Sequence, residues 1–291
     1  MIRGFRRFPW YFFIGMVLSC CSPQRESVLI ERFGFSPRNI IPVEVRAYGF
    51  PHVSVTVSGV TLPLVFDTGN MVGVTLSPSR FDELGLDSNG MWTSAGADGV
   101  LRGSYRVAHE VDIALSDHTL CSDSVYEHPM APAVDGLIGP GSLGASRLAV
   151  DYQARRIAAA RSPGPSTMAG YQAIPLVRSI LHRKLILVRG SVEGRPAIFQ
   201  LDTGKSRTVI SPILAAELGL RRVHDGVGIQ HAQLGSLEFS VHSAREGDLS
   251  AIDPTMSEPI LVGIGSDILS QFAWYVDYDE SLLWVPELTL W

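Results

Sequence analysis

The sequence contains one short motif twice, as VFDTGN at residues 65–70 and as QLDTGKS at residues 200–206. The two aspartates, Asp67 and Asp202, lie 135 residues apart. Each motif ends a β-rich, apolar stretch of the kind that feeds a strand into a protein core. A tripeptide can recur by accident, but a shared neighbourhood indicates an internal repeat.

The neighbourhoods of the two motifs match over a long distance. SPSRFDELGL at residues 77–86 corresponds to SPILAAELGL at residues 211–220, and LIGPGSLGASRLAVDY at 137–152 corresponds to GIGSDILSQFAWYVDY at 263–278. The first pair has serine as a candidate N-cap, proline at the first helical position and glycine as the stop, so each segment predicts a short helix. The chain is therefore predicted to contain two halves of the same construction.

The order of these landmarks divides the chain. We expect an N-terminal lobe at residues 42–160, a C-terminal lobe at residues 171–291, and a linker rich in Pro, Gly and Ser at residues 161–170. The first half is eight residues longer between the helix and the next matched glycine. The extra residues fall around residues 91–107, where the Gly and Ser content predicts a hairpin.

Two copies of a β-rich unit can pair about a pseudo-two-fold axis, and a motif on that axis meets its own copy. Like charges at short distance in a poorly solvated site cannot both ionise, so Asp67 and Asp202 would share one proton. One carboxylate can then act as the general base on a water, while its protonated partner polarises a substrate carbonyl. This chemistry needs no metal and no cofactor.

The rest of the tripeptide suits this arrangement. Gly69 and Gly204 would let backbone N–H groups approach the carboxylates, where a Cβ atom would obstruct them. Thr68 and Thr203 carry hydroxyls that can bond the backbone across the axis and hold the two loops in register.

The two motifs VFDTGN and QLDTGKS resemble those of the aspartic proteases, both pepsin-like and retropepsin-like. Each motif is followed later in its half by an apolar residue and a glycine, at residues 137–139 and 264–265, and this pattern belongs to the same resemblance. The string GSDILSQFAWYVDYDESLLWV at residues 265–285 is similar to the C-terminal element of bacterial retropepsin-like proteases. The resemblance covers residues 42–286. It implies an all-β, bilobal fold of double-psi β-barrel type, a catalytic dyad of Asp67 and Asp202, and a substrate-covering flap within residues 91–107. It further implies a monomer with an internal pseudo-dimer that acts on polypeptides.

Two residues depart from the family pattern, which has Ser or Ala after Asp-Thr-Gly: this chain has Asn70 and Lys205. Asn70 could hydrogen-bond in place of Ser. An ammonium about 4 Å from the dyad, at an effective dielectric of about 20, would contribute roughly 4 kcal/mol and favour ionisation of both carboxylates. A Lys205 that points into solvent would leave the dyad untouched. The sequence thus leaves open an active endopeptidase and a silenced, protease-like module that binds peptides or has a structural role.

The N-terminus resembles that of a bacterial lipoprotein. Residues 1–19 have a basic start and an apolar stretch too short to span a bilayer, which is typical of a signal peptide. Val17-Leu18-Ser19-Cys20 resembles a lipobox, so Cys20 is predicted to carry the lipid anchor, residues 20–41 to form a tether, and the protein to lie in the cell envelope. An ordinary signal peptide and a membrane-tethered start are the alternatives, and the sequence does not distinguish the inner from the outer membrane.

Composition and scattered motifs exclude other function classes. The formal net charge is −5 and no basic stripe is present, which argues against nucleic acid as a partner. The histidines, including His224 and His231, have no metal-ligand spacing. GPGSLG at residues 139–144 has the spacing of a dinucleotide-binding loop but no βαβ context, so it predicts a turn. Cys121 is expected to be buried and inert, with a disulfide to Cys21 as the alternative.

Overall fold

The computed structural model describes residues 28–46, 49–95, 101–115, 118, 120–131 and 133–290. Strands dominate this part of the chain and form three sheets, with only short helices between them. The predicted all-β class is confirmed.

The strands of the first half, in chain order, are β1 (Ile40–Pro42), β2 (Glu44–Val45), β3 (Pro51–Val57), β4 (Val60–Phe66), β5 (Val74–Leu76), β6 (Gly90–Ala95), β7 (Leu101–Ala108), β8 (Ile113–Ala114), β9 (Val125–Glu127), β10 (Gly136–Ile138), β11 (Arg147–Asp151) and β12 (Arg156–Ala160). The strands of the second half are β13 (Tyr171–Pro175), β14 (Leu187–Val192), β15 (Arg195–Leu201), β16 (Val209–Ile210), β17 (Arg222–Val223), β18 (Gly226–Leu234), β19 (Leu237–Glu246), β20 (Ile260–Ile264), β21 (Trp274–Asp277), β22 (Leu282–Pro286) and β23 (Thr289–Leu290).

The α-helices are α1 (Val28–Glu31), α2 (Pro78–Glu83), α3 (Pro212–Glu217) and α4 (Ser266–Leu269), and short 3-10 helices lie at Pro37–Asn39, Pro140–Leu143 and Ser250–Ile252. The predicted helices are present as α2 and α3. Gly85 and Gly219 follow them with φ near +60°, a conformation that glycine adopts without strain. Ser77 caps α2 by accepting a hydrogen bond from the backbone of Arg80, whereas the side chain of Ser211 makes no such bond to α3.

One sheet belongs to each half, and the two share a pairing scheme. In the first, β4 runs parallel to β10, and β10 pairs with β5 in antiparallel fashion. In the second, β15 runs parallel to β20, and β20 pairs with β16 in antiparallel fashion. The strand that leads into each Asp-Thr-Gly motif therefore lies beside the strand that precedes the matched glycine.

The third sheet contains strands of both halves, in the order β1-β12-β11-β21-β22-β13. Its centre is the antiparallel pair β11 and β21, in which Ala149 lies opposite Tyr275. These two residues occupy the same position in the sequence repeat, 126 residues apart. A local two-fold axis between the two strands would bring equivalent residues together in this way.

The segment before β1 was expected to be a tether at residues 20–41, but its described part is packed into the fold. Leu29, Phe33 and Phe35 are fully or almost fully buried against the third sheet, and β1 pairs with β12. The physical reason is the apolar surface of these side chains, which is removed from water on that sheet. The predicted signal peptide and Cys20 lie outside the described residues.

Phe33 provides a test of this packing. It is fully buried, and its ring lies 5.1 Å from that of Tyr171 and 5.4 Å from that of Tyr275, centroid to centroid. We expect Phe33→Ala to lower the free energy of unfolding by about 3–5 kcal/mol, because it leaves a cavity beside the rings of Tyr171 and Tyr275. Chemical denaturation measures this loss. Ile213→Ala, on the exposed face of α3, is the control and should change stability by less than about 0.5 kcal/mol.

The predicted linker at residues 161–170 contains no helix or strand. It joins β12 to β13, and its Met168 is buried against the third sheet. Cys121 is an exposed free thiol, so the expectation that it is buried was wrong. It lies in the loop between β8 and β9, outside the strands that form the core, and Arg161 donates a hydrogen bond to its Sγ at 2.8 Å. Cys21 lies outside the described residues. The helices of the described part are all too short or too polar to traverse a bilayer.

Candidate active site

Asp67 and Asp202 each begin a loop at the end of a central strand. The backbone N–H of Asp67 donates to the carbonyl of Ile138, and that of Asp202 donates to the carbonyl of Ile264, both at 3.0 Å. These carbonyls end β10 and β20. The pairing of β4 with β10, and of β15 with β20, thus fixes where each aspartate leaves its sheet.

The two threonines connect the loops reciprocally. The backbone N–H of Thr68 donates to Oγ1 of Thr203, and the backbone N–H of Thr203 donates to Oγ1 of Thr68, both at 3.0 Å. Each hydroxyl in turn donates to the opposite half, from Thr68 to the carbonyl of Leu201 at 2.9 Å and from Thr203 to that of Phe66 at 2.6 Å. Both threonines are buried. Four hydrogen bonds without competing water therefore hold the two motifs in register.

The two glycines lie against the carboxyl groups. The N–H of Gly69 donates to Oδ1 of Asp67 at 2.7 Å, and the N–H of Gly204 donates to Oδ1 of Asp202 at 3.0 Å. A Cβ atom on Gly69 would lie 2.5 Å from Oδ2 of Asp202, and one on Gly204 would lie 2.3 Å from Cγ of Asp67. Each glycine thus donates a hydrogen bond to the aspartate of its own motif. Because it has no side chain, it also leaves space for the carboxyl group of the other motif.

The two carboxyl groups interact directly. Burial, the negative charge of Asp202 and a hydrogen bond with Asp202 raise the pKa of Asp67 to about 8. The N–H of Gly69 and the charge of Lys205 act in the opposite direction but are outweighed. Asp67 is therefore protonated at neutral pH.

Asn70 closes its own turn. Its side-chain amide donates to the carbonyl of Gly73 at 2.8 Å and to Oγ1 of Thr75 at 3.2 Å, and its oxygen accepts from the N–H of Val72 at 3.2 Å. Within the described part of the chain these bonds stay inside residues 70–75. Asn70 shapes the loop that follows the first Asp-Thr-Gly motif.

Lys205 points at the dyad. Its Nζ forms an ion pair with Oδ2 of Asp202 and donates a second hydrogen bond to Oε1 of Gln200 at 3.1 Å. The Lys205 side chain is 20% exposed and the Asp202 side chain 7%, so the pair is only slightly screened by water. The sequence left two orientations open, and the structure has the inward one.

This contact does not have the consequence expected for an inward Lys205. Loss of the shared proton was expected, yet the pKa of Asp67 stays above its ordinary range because burial and the charge of Asp202 outweigh Lys205. The ammonium is bonded to Oδ2 of Asp202, whereas Oδ1 of Asp202 accepts the hydrogen bond of the Gly204 N–H. One proton remains on the pair.

A cleft of about 630 Å³ opens at the dyad. Its lining from the first half is Asp67, Gly69, Asn70, Met71, Val72, Thr75, Trp92, Thr93, His128 and Leu137, and from the second half His182, Gln200, Asp202, Gly204, Lys205, Ala251, Ile252 and Pro254. A second cavity of about 250 Å³, with apolar walls that include Phe50 and Met130, reaches Asp67 and Gly204 as well. Space for an extended chain thus exists around the pair.

The sequence did not identify several of these wall residues. These are His128, His182, Ala251, Ile252 and Pro254, which belong to neither copy of the repeated motif. They reach the cleft because sheet pairings bring residues distant in sequence together. Gln200 had a weak signal, since it stands where the first motif has an apolar residue, Val65.

The predicted hairpin is formed by β6 and β7, with residues 96–100 outside the description. Trp92 and Thr93 of β6 line the cleft. The indole N–H of Trp92 donates to the carbonyl of Glu127 at 2.9 Å, and its ring packs on that of Tyr126 at a centroid distance of 5.4 Å. These contacts fix the base of the hairpin beside the dyad.

In the described residues, His, Cys, Asp and Glu side chains form no cluster of three or more suited to a metal ion. The segment at 139–144 contains the 3-10 helix Pro140–Leu143 and connects β10 to β11, as a turn would. Comparison of the chain with protein-family models and with curated proteins finds no match, so a function has to be argued from the site.

Proposed function

We propose that the protein is an aspartic endopeptidase that hydrolyses peptide bonds with a water held between Asp67 and Asp202. The observation that carries the proposal is the pair of interacting carboxyl groups, with Asp202 buried and Asp67 half-buried, on two equivalent loops held together by the reciprocal threonine bonds. The proposal includes the finer fold: two lobes related by a pseudo-two-fold axis, each of double-psi β-barrel type, with the β6–β7 hairpin as the flap.

The reaction follows from one proton shared between two carboxyls. The carboxylate takes a proton from the water as its oxygen attacks the carbonyl carbon of the substrate, and the protonated carboxyl gives its own proton to the carbonyl oxygen. The tetrahedral intermediate breaks at the C–N bond. The proton taken from the water passes to the leaving nitrogen, and the other carboxyl recovers its proton from a hydroxyl of the intermediate.

The pKa of Asp67 predicts the alkaline limit of activity. Below about pH 8 Asp67 carries its proton, and above that pH Asp67 is ionised and can no longer act as the acid. We expect kcat/KM to be high at neutral pH and to fall about tenfold for each pH unit above about 8. A pH profile on an unfolded polypeptide measures this. Full activity at pH 10 would contradict the assignment.

A transition-state analogue tests the proposed function. An inhibitor with a secondary hydroxyl in place of the scissile amide should occupy the position of the tetrahedral intermediate between the two carboxyls. We expect it to stop cleavage at a stoichiometry of one molecule per chain. Cleavage that persists at saturating inhibitor, or that responds instead to a serine-directed reagent, would contradict the proposal.

The ion pair between Lys205 and Asp202 favours one alternative. If the ammonium keeps a substrate or water away from Oδ2 of Asp202, the protein is a silenced, protease-like module that binds peptides or has a structural role in the envelope. This alternative predicts binding of unfolded polypeptide without turnover. Restored cleavage in Lys205→Ser, with none in the wild type, would support it.

The remaining proposals concern location and partners. The lipobox-like sequence around Cys20 supports a bacterial lipoprotein whose folded part faces the periplasm or the exterior. The expected partners are a polypeptide substrate and, through the lipid, a membrane. We propose that the chain acts as a monomer, since both halves of the dyad come from one chain.

A further inference from the structure

We infer that Gln200 and Lys205 make the two aspartates unequal, so that Asp202 is held as the carboxylate that accepts the proton of the water and Asp67 is left as the acid. The two residues act through Asp202 and are therefore positioning residues. The inference deepens the proposed function and rests on it for the naming of the roles. The inequality itself is a property of the resting protein.

The sequence repeat shows that Gln200 and Lys205 are found beside only one of the two Asp-Thr-Gly motifs. The two halves are identical at Asp-Thr-Gly, but Val65 and Asn70 of the first half correspond to Gln200 and Lys205 of the second, at the same spacing of 135. The two departures in the second half contact each other through the bond from Nζ of Lys205 to Oε1 of Gln200. Asn70 is turned away into its own loop. One cation therefore acts on one of two otherwise equivalent carboxyls.

The surroundings hold Lys205 in this orientation. Gln200 is buried at the end of β15 and supplies an oxygen that an ammonium can use without water. The aliphatic part of Lys205 passes over Gly263, where an added Cβ would lie 3.3 Å from Cε. The glycine thus leaves room for the side chain. An ammonium so held stays at Oδ2 of Asp202 and stabilises its charge.

Other charged and titratable groups around the dyad are few in the described part. Asp67 interacts with Asp202 and Lys205. Burial raises the pKa of Tyr152, and the negative charges of both aspartates also act on its hydroxyl and help to raise that pKa, so Tyr152 stays neutral. His128 and His182 line the same cleft, and burial lowers the pKa of His182. Lys205 is the cation bonded to the dyad among the described residues.

The test is a carboxyl titration by NMR. The full-length protein is labelled with ¹³C at the aspartate carboxyls, and the two dyad signals are assigned from Asp67→Asn and Asp202→Asn. In the wild type we expect the Asp67 signal to titrate near pH 8 with the full shift of one protonation, while Asp202 moves little in that step. In Lys205→Met we expect both signals to share the step, with its midpoint raised by roughly one pH unit.

Control variants separate charge from fold. Lys205→Arg keeps a cation and should keep the unequal titration, and Gln200→Met keeps the cation but loses its anchor and should give an intermediate result. Lys184→Met removes the only other lysine of the chain, which bonds the carbonyl of Ala145, and should leave the dyad signals unchanged. Equal titration of both carboxyls in the wild type, or an unchanged pattern in Lys205→Met, would overturn the inference.

The readout does not depend on cleavage. A wild type with unequal carboxyls and no turnover would refute the proposed function and leave the inequality standing. A wild type that cleaves peptides with two equal carboxyls would do the reverse. The pH profile of Lys205→Met adds a kinetic check, since its alkaline limit should rise with the midpoint in the NMR titration.

Discussion

Asp67→Asn and Asp202→Asn are each expected to reduce kcat/KM by about 10³-fold or more. The asparagine amide occupies nearly the same space as the carboxyl, and the threonine bonds that hold the loops are untouched. The loss is therefore chemical: one variant lacks the group that gives a proton to the carbonyl oxygen, the other the group that takes one from the water. Cleavage of an unfolded polypeptide under matched conditions measures both.

Each variant has an internal control. Circular dichroism and thermal unfolding should show an intact fold, since the amide can still accept the hydrogen bond of Gly69 or Gly204. At pH 8–9 Asp67→Asn should be more stable than the wild type, because a group whose pKa is raised on folding loses stability as pH rises toward that pKa. Residual cleavage equal to the wild type in either variant would refute the dyad.

Gly204→Ala is expected to be the next most damaging change, with a loss of roughly 10²-fold or more in kcat/KM. The new methyl group would lie 2.3 Å from Cγ of Asp67, so that carboxyl has to move. A displacement of about 1 Å at a catalytic group costs about this much because the reacting atoms no longer align. Gly69→Ala should behave in the same way through Asp202.

Gly141→Ala is the matched control. Gly141 lies in the turn after β10, and a Cβ atom there would have no neighbour within 4 Å. We expect its activity and its unfolding midpoint to match those of the wild type. If Gly204→Ala were as active as Gly141→Ala, the close cross-packing of glycine and carboxyl would not be needed for function.

The repeated parts of the site could be predicted from the sequence. Asp67 and Asp202, the two helices, and the strand beside each motif all follow from patterns that occur twice in one chain. The threonine bonds follow from the same symmetry, because a motif on a two-fold axis lies within reach of its copy. The third sheet was not predicted, although the pairing of β11 with β21 at its centre joins equivalent strands of the repeat.

The features that escaped prediction are those that occur once. The orientation of Lys205 depends on Gln200, which precedes it by five residues, and on the space over Gly263, which lies on another strand. No local pattern encodes that contact. The burial of Phe33 and Phe35 escaped for a similar reason, since a short aromatic segment near a predicted signal peptide gives no sign of the sheet that covers it.

The exposure of Cys121 shows a limit of residue-type averages. Cysteine is among the most buried residue types, and the expectation followed that average. Cys121 instead lies in the loop between β8 and β9, where Arg161 donates hydrogen bonds to its sulfur and to the carbonyl of Gly144. Connecting loops run over the surface of a protein, so the place of this thiol in the fold outweighed its residue type.

The count of new amino termini released per chain is the most direct test of the central claim. The full-length wild type is incubated at pH 7 with an excess of an unfolded polypeptide, and the new termini are quantified over time. Hydrolysis by the dyad predicts a steady release that far exceeds one terminus per protein molecule. A polypeptide that binds but yields no new termini at any pH between 4 and 9 would contradict it.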